Sequence, residues 1–127
     1  MALEYSVPGG YRITSTGRNE FMIGGRFDTN TTNAPDGELP LRAGVTPART
    51  GTGIFTVTLS PAPTTIVYGD ATVWGDKPGI HAKLISYSAG VLTIHVYDED
   101  DVSGIQAIAD TDNVTVCWWA VFTSDAV

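Results

Sequence analysis

An acidic run is the first feature of this chain that could do chemistry. Asp98–Asp101 consists of four consecutive carboxylates, and calcium prefers several oxygen ligands of this kind. The run lacks the spaced D-x-D-x-D-G pattern of a calcium loop, and successive side chains on an extended segment point apart. We therefore interpret it as a solvated loop between strands, whose charge discourages edge pairing.

Two histidines offer a second candidate metal site. His81 and His95 fall on consecutive predicted strands and could face each other there, as a pair of zinc ligands would. The sequence supplies no third ligand of a suitable type. The alternative is a pair of half-exposed surface residues, and we predict no metal and no cofactor.

The single cysteine does not indicate a catalytic nucleophile. Cys117 lies in the apolar run 114–119, which favours a buried, inert thiol. One cysteine excludes an internal disulfide and a four-thiolate metal site, and no G-x-S-x-G motif is present. Aspartates for glycoside hydrolysis are plentiful, but their separation in space is unknown from the sequence. We predict that the protein is not an enzyme.

The tryptophans are more informative. Trp118 and Trp119 are adjacent, so in a strand they point to opposite faces. Together with Trp74, Tyr87 and Tyr97, they suggest more apolar surface than a monomer needs. Three interpretations stay open: a sandwich strand with one exposed tryptophan, a subunit interface, or an aromatic platform for sugar rings.

The elements that position these residues are predicted to be strands. Fourteen glycines, seven prolines and many Thr and Val residues favour strands and turns over helices. The alternation in 54–59 sends Phe55, Val57 and Leu59 to one face. The other predicted strands are 11–14, 21–23, 65–68 with 71–74 as a broken strand, 80–87, 91–97 and 114–123, with a short strand or one helical turn at 104–109. Turns every 8–12 residues predict an all-β fold, an antiparallel β sandwich or jelly-roll-like barrel.

The two halves of the chain differ in charge and pattern. Residues 1–50 carry five basic and five acidic side chains, whereas residues 51–127 hold the whole net charge of −7. Residues 28–47 contain three prolines and no sustained period, which predicts a long loop or strap. We therefore predict an extended, partly stranded N-terminal arm at 1–48 and a β-sandwich domain at 49–127, a division that favours binding or assembly.

Composition also excludes some partners. A pI near 4.4 argues against nucleic-acid binding through phosphate contacts. No apolar stretch is long enough to cross a bilayer and no signal peptide is evident, so we expect no membrane association and synthesis in a cytoplasm.

The segment Arg49–Leu59, RTGTGIFTVTL, followed by Val/Thr strands and the aromatic closing strand Val116–Phe122, resembles small structural proteins of tailed bacteriophages. The closest similarity is to capsid decoration, or cement, proteins, and it covers about residues 45–124. The resemblance implies a β knob, often trimeric, that sits on the capsid surface of the virion. It also implies an extended terminus that grips the major capsid protein. The alternative is a carbohydrate- or receptor-binding β module of a phage tail fibre.

From this resemblance and the charge division we expect two sets of contact residues. The predicted capsid contacts are Tyr11, Arg12, Ile13, Phe21, Met22, Arg26 and Phe27. The predicted self-association residues are Trp74, Tyr97 and Trp119.

Overall fold

The computed structural model describes residues 4–7, 11–14, 20–30, 35–39, 44–75, 78–99, 106–107 and 113–123. These residues form eleven strands and no helix. The strands are β1 (Glu4–Val7), β2 (Tyr11–Thr14), β3 (Glu20–Asp28), β4 (Asp36–Leu39), β5 (Val45–Gly51), β6 (Ile54–Leu59), β7 (Thr65–Trp74), β8 (Ile80–Ser88), β9 (Val91–Asp98), β10 (Gln106–Ala107) and β11 (Thr115–Thr123). The all-β prediction is confirmed.

The strands form two antiparallel sheets and a separate hairpin. One sheet has four strands in the order β4-β3-β11-β7. The other has five: β5, β6 and β9 in that order, with β8 on the far side of β9 and β10 continuing beside β9 beyond the end of β6. The β1-β2 hairpin forms a separate two-stranded sheet, and β2 contacts β3 of the four-stranded sheet. The sheets approach each other at both edges, where β4 lies beside β5 and β7 beside β8, which gives a β-sandwich-like architecture.

The core lies between the two sheets and follows the period-two pattern of the strands. Phe55, Val57 and Leu59 are buried, as the alternation in β6 predicts. Phe27 of β3 packs on Phe55 of β6 with ring centroids 5.7 Å apart. Tyr87 of β8 meets Phe122 of β11 edge-on at 5.1 Å. Aromatic pairs at these distances join the two layers.

The β8-β9 hairpin is confirmed with its turn at Ser88–Gly90. Ala89 and Gly90 have φ of 49° and 87°, and positive φ at both central residues is what a type I′ turn requires. The broken strand at 65–74 is instead the continuous β7, which has a register shift near Val67.

The predicted loop at 28–47 is wrong in part, because it contains β4 and the start of β5. Pro47 lies inside β5, opposite Val57. A proline is tolerated there because β5 is an edge strand, where an N–H can face away from the sheet.

The N-terminal half contributes to the same two layers as the rest of the chain. β3 pairs with β11 along all nine of its residues, and the expected boundary between residues 48 and 49 falls inside β5. The jelly-roll connectivity stays a prediction. An extended arm also stays a prediction, and because β3 belongs to the sandwich, such an arm could comprise only the residues before Glu20.

Candidate binding surface

The outer face of the four-stranded sheet is built from residues that the register sets in rows across β3, β11 and β7. Four rows lie side by side: Asp28–Thr115–Trp74, Arg26–Cys117–Thr72, Gly24–Trp119–Asp70 and Met22–Val121–Tyr68. Their neighbours along β11, Val116, Trp118 and Ala120, point inward and are buried. The alternation of side chains along β11 therefore decides which residues form the outer face of the sheet.

The row Met22–Val121–Tyr68 is apolar, and Trp119 lies next to it in a row that also holds Asp70. We call Met22, Tyr68, Trp119 and Val121 the aromatic face, in which Val121 is buried. Tyr68 is 56% exposed, Met22 43% and Trp119 38%, while Trp118 is only 2% exposed. The expectation that adjacent tryptophans would point to opposite faces is confirmed, with one of them exposed. Tyr68 and Trp119 meet edge-on, with ring centroids 5.8 Å apart. The chain thus keeps an ordered aromatic pair in contact with solvent.

Gly24 makes room for Trp119 on the neighbouring strand. A Cβ on Gly24 would lie 3.3 Å from the Cβ of Trp119 and 3.1 Å from the carbonyl oxygen of Trp118. A larger residue would crowd the base of the indole, because contacts this short force a neighbour to shift. The absence of a side chain at Gly24 therefore gives the Trp119 indole the space that it occupies on the aromatic face.

The outer face of the five-stranded sheet is mixed. Ile54 lies there in the row of His95 and Lys83, and Ile85 of β8 is 49% exposed. The other rows pair Thr46 with Thr58 and Thr56 with Thr93. These side chains are half-buried or exposed, and they can hydrogen-bond with water. The outer face of the four-stranded sheet thus carries an exposed aromatic pair, and the outer face of the five-stranded sheet is richer in polar side chains.

A depression lies at the end of the four-stranded sheet, beyond the aromatic face. It holds about 220 Å³, and among the described residues its lining is Asp28, Trp74, Gly75, Asn113, Val114 and Thr115. We call it the Trp74 depression. Trp74 is 69% exposed, the largest exposed fraction among the large apolar side chains described.

Hydrogen bonds fix the polar side of the Trp74 depression. The Thr115 hydroxyl donates to Oδ1 of Asp28 at 2.5 Å. The buried Thr29 hydroxyl accepts from the Val114 N–H at 2.9 Å and donates to Oδ1 of Asn113 at 3.4 Å. The ends of β3 and β11 are thereby joined beside the exposed indole.

Cys117 lies on the outer face, between Arg26 and Thr72, and is half-buried. The prediction of a buried thiol is therefore wrong in degree, because Cys117, like the other odd-numbered residues of β11, points to the outer face. Burial raises the pKa of the Cys117 thiol above its ordinary value, and the charge of Arg26 lowers it by less. The thiol is protonated and unreactive at neutral pH.

The two histidines do not face each other. His95 is opposite Lys83 and His81 is opposite Tyr97, so the two histidines are displaced from a facing position by two residues along the strands. Nε2 of His81 lies 3.0 Å from Oε1 of Glu99, and its ring is 5.7 Å from that of Tyr97.

Of the acidic run, the structure describes Asp98 and Glu99, whereas Asp100 and Asp101 lie outside the described residues. Within the described ranges, no three His, Cys, Asp or Glu side chains come together in a way that could hold a metal ion.

The predicted capsid contacts divide into three groups. Met22 and Arg26 lie on the outer face of β3, where Arg26 is exposed. Phe21 and Phe27 are core residues, so their side chains offer no surface to a partner, and this part of the prediction is corrected by the inward pointing of odd-numbered residues in β3. For Tyr11, Arg12 and Ile13 the strand β2 is described, and their side chains lie outside the described part of the chain.

The predicted self-association residues fall on both sides of the sandwich. Trp74 and Trp119 share the outer face of the four-stranded sheet, whereas Tyr97 lies on β9 in the other sheet. The sequence prediction does not include Tyr68, although the even spacing from Tyr68 to Trp74 places both on one face of a continuous strand. Gly69, which follows Tyr68, predicts a break in the strand and so obscures this spacing.

Comparisons with known proteins give no match: no family model matches the chain, and no curated protein and no solved structure is significantly similar to it. Among the described residues, no helix is long and apolar enough to cross a membrane.

Proposed function

We propose that this protein is a structural component of a tailed-bacteriophage virion that binds the outer surface of the head and stabilises it, as a capsid decoration protein does. The observation that carries the proposal is the difference between the two outer faces of the sandwich. Met22, Tyr68 and Trp119 are exposed on one face, and the other carries mainly threonine, histidine and lysine, with Ile54 and the exposed Ile85 among them. A contiguous exposed apolar patch is typical of a surface that another protein covers.

The resemblance of RTGTGIFTVTL and the closing aromatic strand to phage structural proteins supports the choice of partner. The partner is then the major capsid protein, and the aromatic face is the contact surface. Arg26, which lies one row from Trp119 on the same outer face, adds a positive charge beside the apolar patch. Aromatic residues and arginine are enriched in the cores of protein interfaces, so this combination suits docking better than solvent exposure.

Two effects would stabilise the head: each copy buries apolar surface against the capsid, and many copies bind to the same head. Each copy that covers its aromatic face removes apolar area from water, which contributes about 25 cal/mol per Å². If copies associate, with a trimer as the favoured state, several contacts form at high effective concentration. Residues 1–19, which include Tyr11, Arg12 and Ile13, would add contacts as an arm.

Co-sedimentation with phage heads that lack the protein tests the proposal. The wild-type chain should pellet with the heads and saturate at a fixed number of copies per head. Trp119→Ala should bind at least about tenfold more weakly, because a central interface tryptophan commonly contributes about 2 kcal/mol or more. The matched control is Lys83→Ala, on the polar outer face, which should bind like the wild type.

Two results would count against the proposal. If the wild-type chain does not pellet with heads, the protein is not a head-binding protein. If Trp119→Ala and Lys83→Ala bind equally well while both keep the wild-type circular dichroism spectrum, the contact lies elsewhere on the molecule.

A carbohydrate- or receptor-binding module of a phage tail fibre is the second candidate function. The observation that favours it is Trp74, whose indole is 69% exposed beside a carboxylate and an amide. Immunogold labelling of intact virions separates the candidates, because label on the head supports the first and label on the tail fibres supports the second.

A further inference from the structure

We propose that the Trp74 depression is a binding subsite for a single neutral sugar ring. The inference deepens the second candidate function, because both rest on Trp74, and it does not depend on head binding. It rests on the juxtaposition of an exposed indole with a carboxylate, an amide and a hydroxyl at one end of the four-stranded sheet.

The shape of the depression limits the ligand to a small one. Its volume of about 220 Å³ lies below the roughly 300–1,000 Å³ that is typical of sites for drug-sized ligands. The Trp74 indole is 69% exposed, and among the described residues no atom lies within 4 Å of a Cβ placed on the neighbouring Gly75. A single six-membered ring fits a site of this size and openness.

The chemistry of the lining matches a sugar ring. One face of a pyranose carries C–H groups that pack on an aromatic ring, and its rim carries hydroxyls that both donate and accept hydrogen bonds. Trp74 offers the aromatic surface. Asp28 accepts one hydrogen bond from Thr115, and a carboxylate has capacity for further donors. Asn113 directs Oδ1 to the Thr29 hydroxyl, and no acceptor among the described residues takes a hydrogen bond from its NH₂ group, which can therefore donate to a ligand.

The polar groups of the subsite are held in place before a ligand arrives. Asp28, Thr115 and Trp74 are consecutive across three hydrogen-bonded strands. Thr29 is fully buried and ties β3 to β11 through its backbone N–H, which donates to the Val114 carbonyl at 2.8 Å. Preorganised groups lose little conformational freedom on binding, which a small ligand needs in order to bind at all.

The subsite is separate from the aromatic face. Thr115 and Trp119 are four residues apart on β11, which corresponds to about 13 Å along a strand. The row Arg26–Cys117–Thr72 lies between them. A change at Trp74 therefore leaves Met22, Tyr68 and Trp119 in place.

The test is a titration of the ¹⁵N-labelled full chain with D-glucose, D-galactose, D-mannose and N-acetyl-D-glucosamine, followed by NMR. At least one sugar should shift the Trp74 indole N–H and the Asn113 side-chain amide saturably, while the signal of the buried Trp118 indole stays still. Asp28→Asn should weaken binding about tenfold, because a hydrogen bond to a charged group is lost. Trp74→Ala should abolish saturation, and Lys83→Ala on the opposite face should bind like the wild type.

Several outcomes would overturn the assignment. If none of the four sugars shifts the Trp74 signal, or if Trp74→Ala binds as well as the wild type, the depression is not a sugar subsite. If choline shifts the Trp74 signal and the sugars do not, the site is a cation site made by the indole and Asp28. Head binding by Trp119→Ala, whether it is lost or kept, bears only on the head-binding proposal, so the two proposals fail independently.

Discussion

Individual glycines in this protein mark places where two strands approach closely. A Cβ on Gly69 would lie 2.6 Å from the carbonyl oxygen of Trp119, 2.9 Å from the Cα of Ala120 and 2.8 Å from Cδ2 of Leu84. Two of these atoms belong to the backbone of β11 and cannot turn away. Gly69 therefore sets the distance between β7 and β11 beneath the aromatic face.

Gly69→Ala should lower the free energy of unfolding by about 1–3 kcal/mol, the usual range for overpacking. Urea denaturation followed by tryptophan fluorescence measures the change. Gly51→Ala is the matched control, since a Cβ there would meet only the Ile54 side chain at 3.6 Å, an ordinary contact. That control should stay within about 0.5 kcal/mol of the wild type. Equal stability of the two variants would show that β7 can move away from β11 at no cost.

The ionisation of Cys117 makes the stability of the folded state depend on pH. Burial raises the pKa of its thiol above the ordinary value, so the folded state favours the neutral form. The contribution of the neutral thiol to the stability of the folded state is fully present below the pKa of the unfolded thiol. It is lost as pH rises through the folded pKa. Alkylation by iodoacetamide, which needs the thiolate, should therefore be slower in the folded protein than in urea at every pH near neutrality.

Replacing Arg26 tests the cause of this shift. The charge of Arg26 lowers the pKa of Cys117, so Arg26→Gln should raise the pKa further and slow alkylation. The measurement is the alkylation rate as a function of pH, with Lys83→Gln as the control for a distant charge. A faster reaction in Arg26→Gln would mean that the side chain shields the thiol sterically and that its charge is secondary.

At the scale of elements, the sequence predicts well those strands whose pattern is local. β6 alternates over its whole length, and β8 and β9 are joined by a two-residue turn, so each is visible without knowledge of the partner sheet. β5 and β3 are harder to predict because Pro47 and Gly24 resemble breakers. Pro47 is accommodated by an edge position and Gly24 by the neighbouring Trp119, and both reasons lie outside the strand itself.

The β8-β9 turn can be improved. Ala89 has a φ of 49°, a conformation that costs an L-residue about 1 kcal/mol and that Asn tolerates better. Ala89→Asn creates the Asn-Gly pair preferred in type I′ turns and should raise stability by up to about 1 kcal/mol. Ala89→Val should lower it, because a β-branched residue is strained at positive φ. Thermal unfolding measures both variants, and the same sign of change in each would contradict the assigned turn geometry.

At the scale of the whole molecule, the sequence indicates two β layers but not how they assemble. The pairing of β3 with β11 joins residues about ninety positions apart in the chain, and no local pattern specifies such a register. The candidate surface depends on this register, because it places Met22 beside Val121 and Gly24 beside Trp119. The sequence therefore identifies the tryptophans as candidate surface residues. It does not show that Trp74 and Trp119 share one face, or that Tyr97 lies in the other sheet.

The same long-range pairing decides how the chain can be divided. A fragment of residues 49–127 lacks β3, which lies between β4 and β11, and loses the core side chains of Phe21, Ile23 and Phe27. It would leave β11 with an unpaired edge along nine residues and Phe55 without its partner ring. Losing three large core residues costs several kcal/mol, which is comparable with the whole stability of a small domain.

We therefore expect the fragment 49–127 to show no cooperative unfolding transition in urea, and the fragment 20–127 to retain one. The second fragment keeps every strand of both sheets, because these begin with β3 at Glu20. Residues 1–19 can then be removed to test their role as an arm without disturbing the sandwich. A cooperative transition in 49–127 with the same denaturant dependence as in 20–127 would restore the division at residue 48, since that dependence scales with the surface exposed on unfolding.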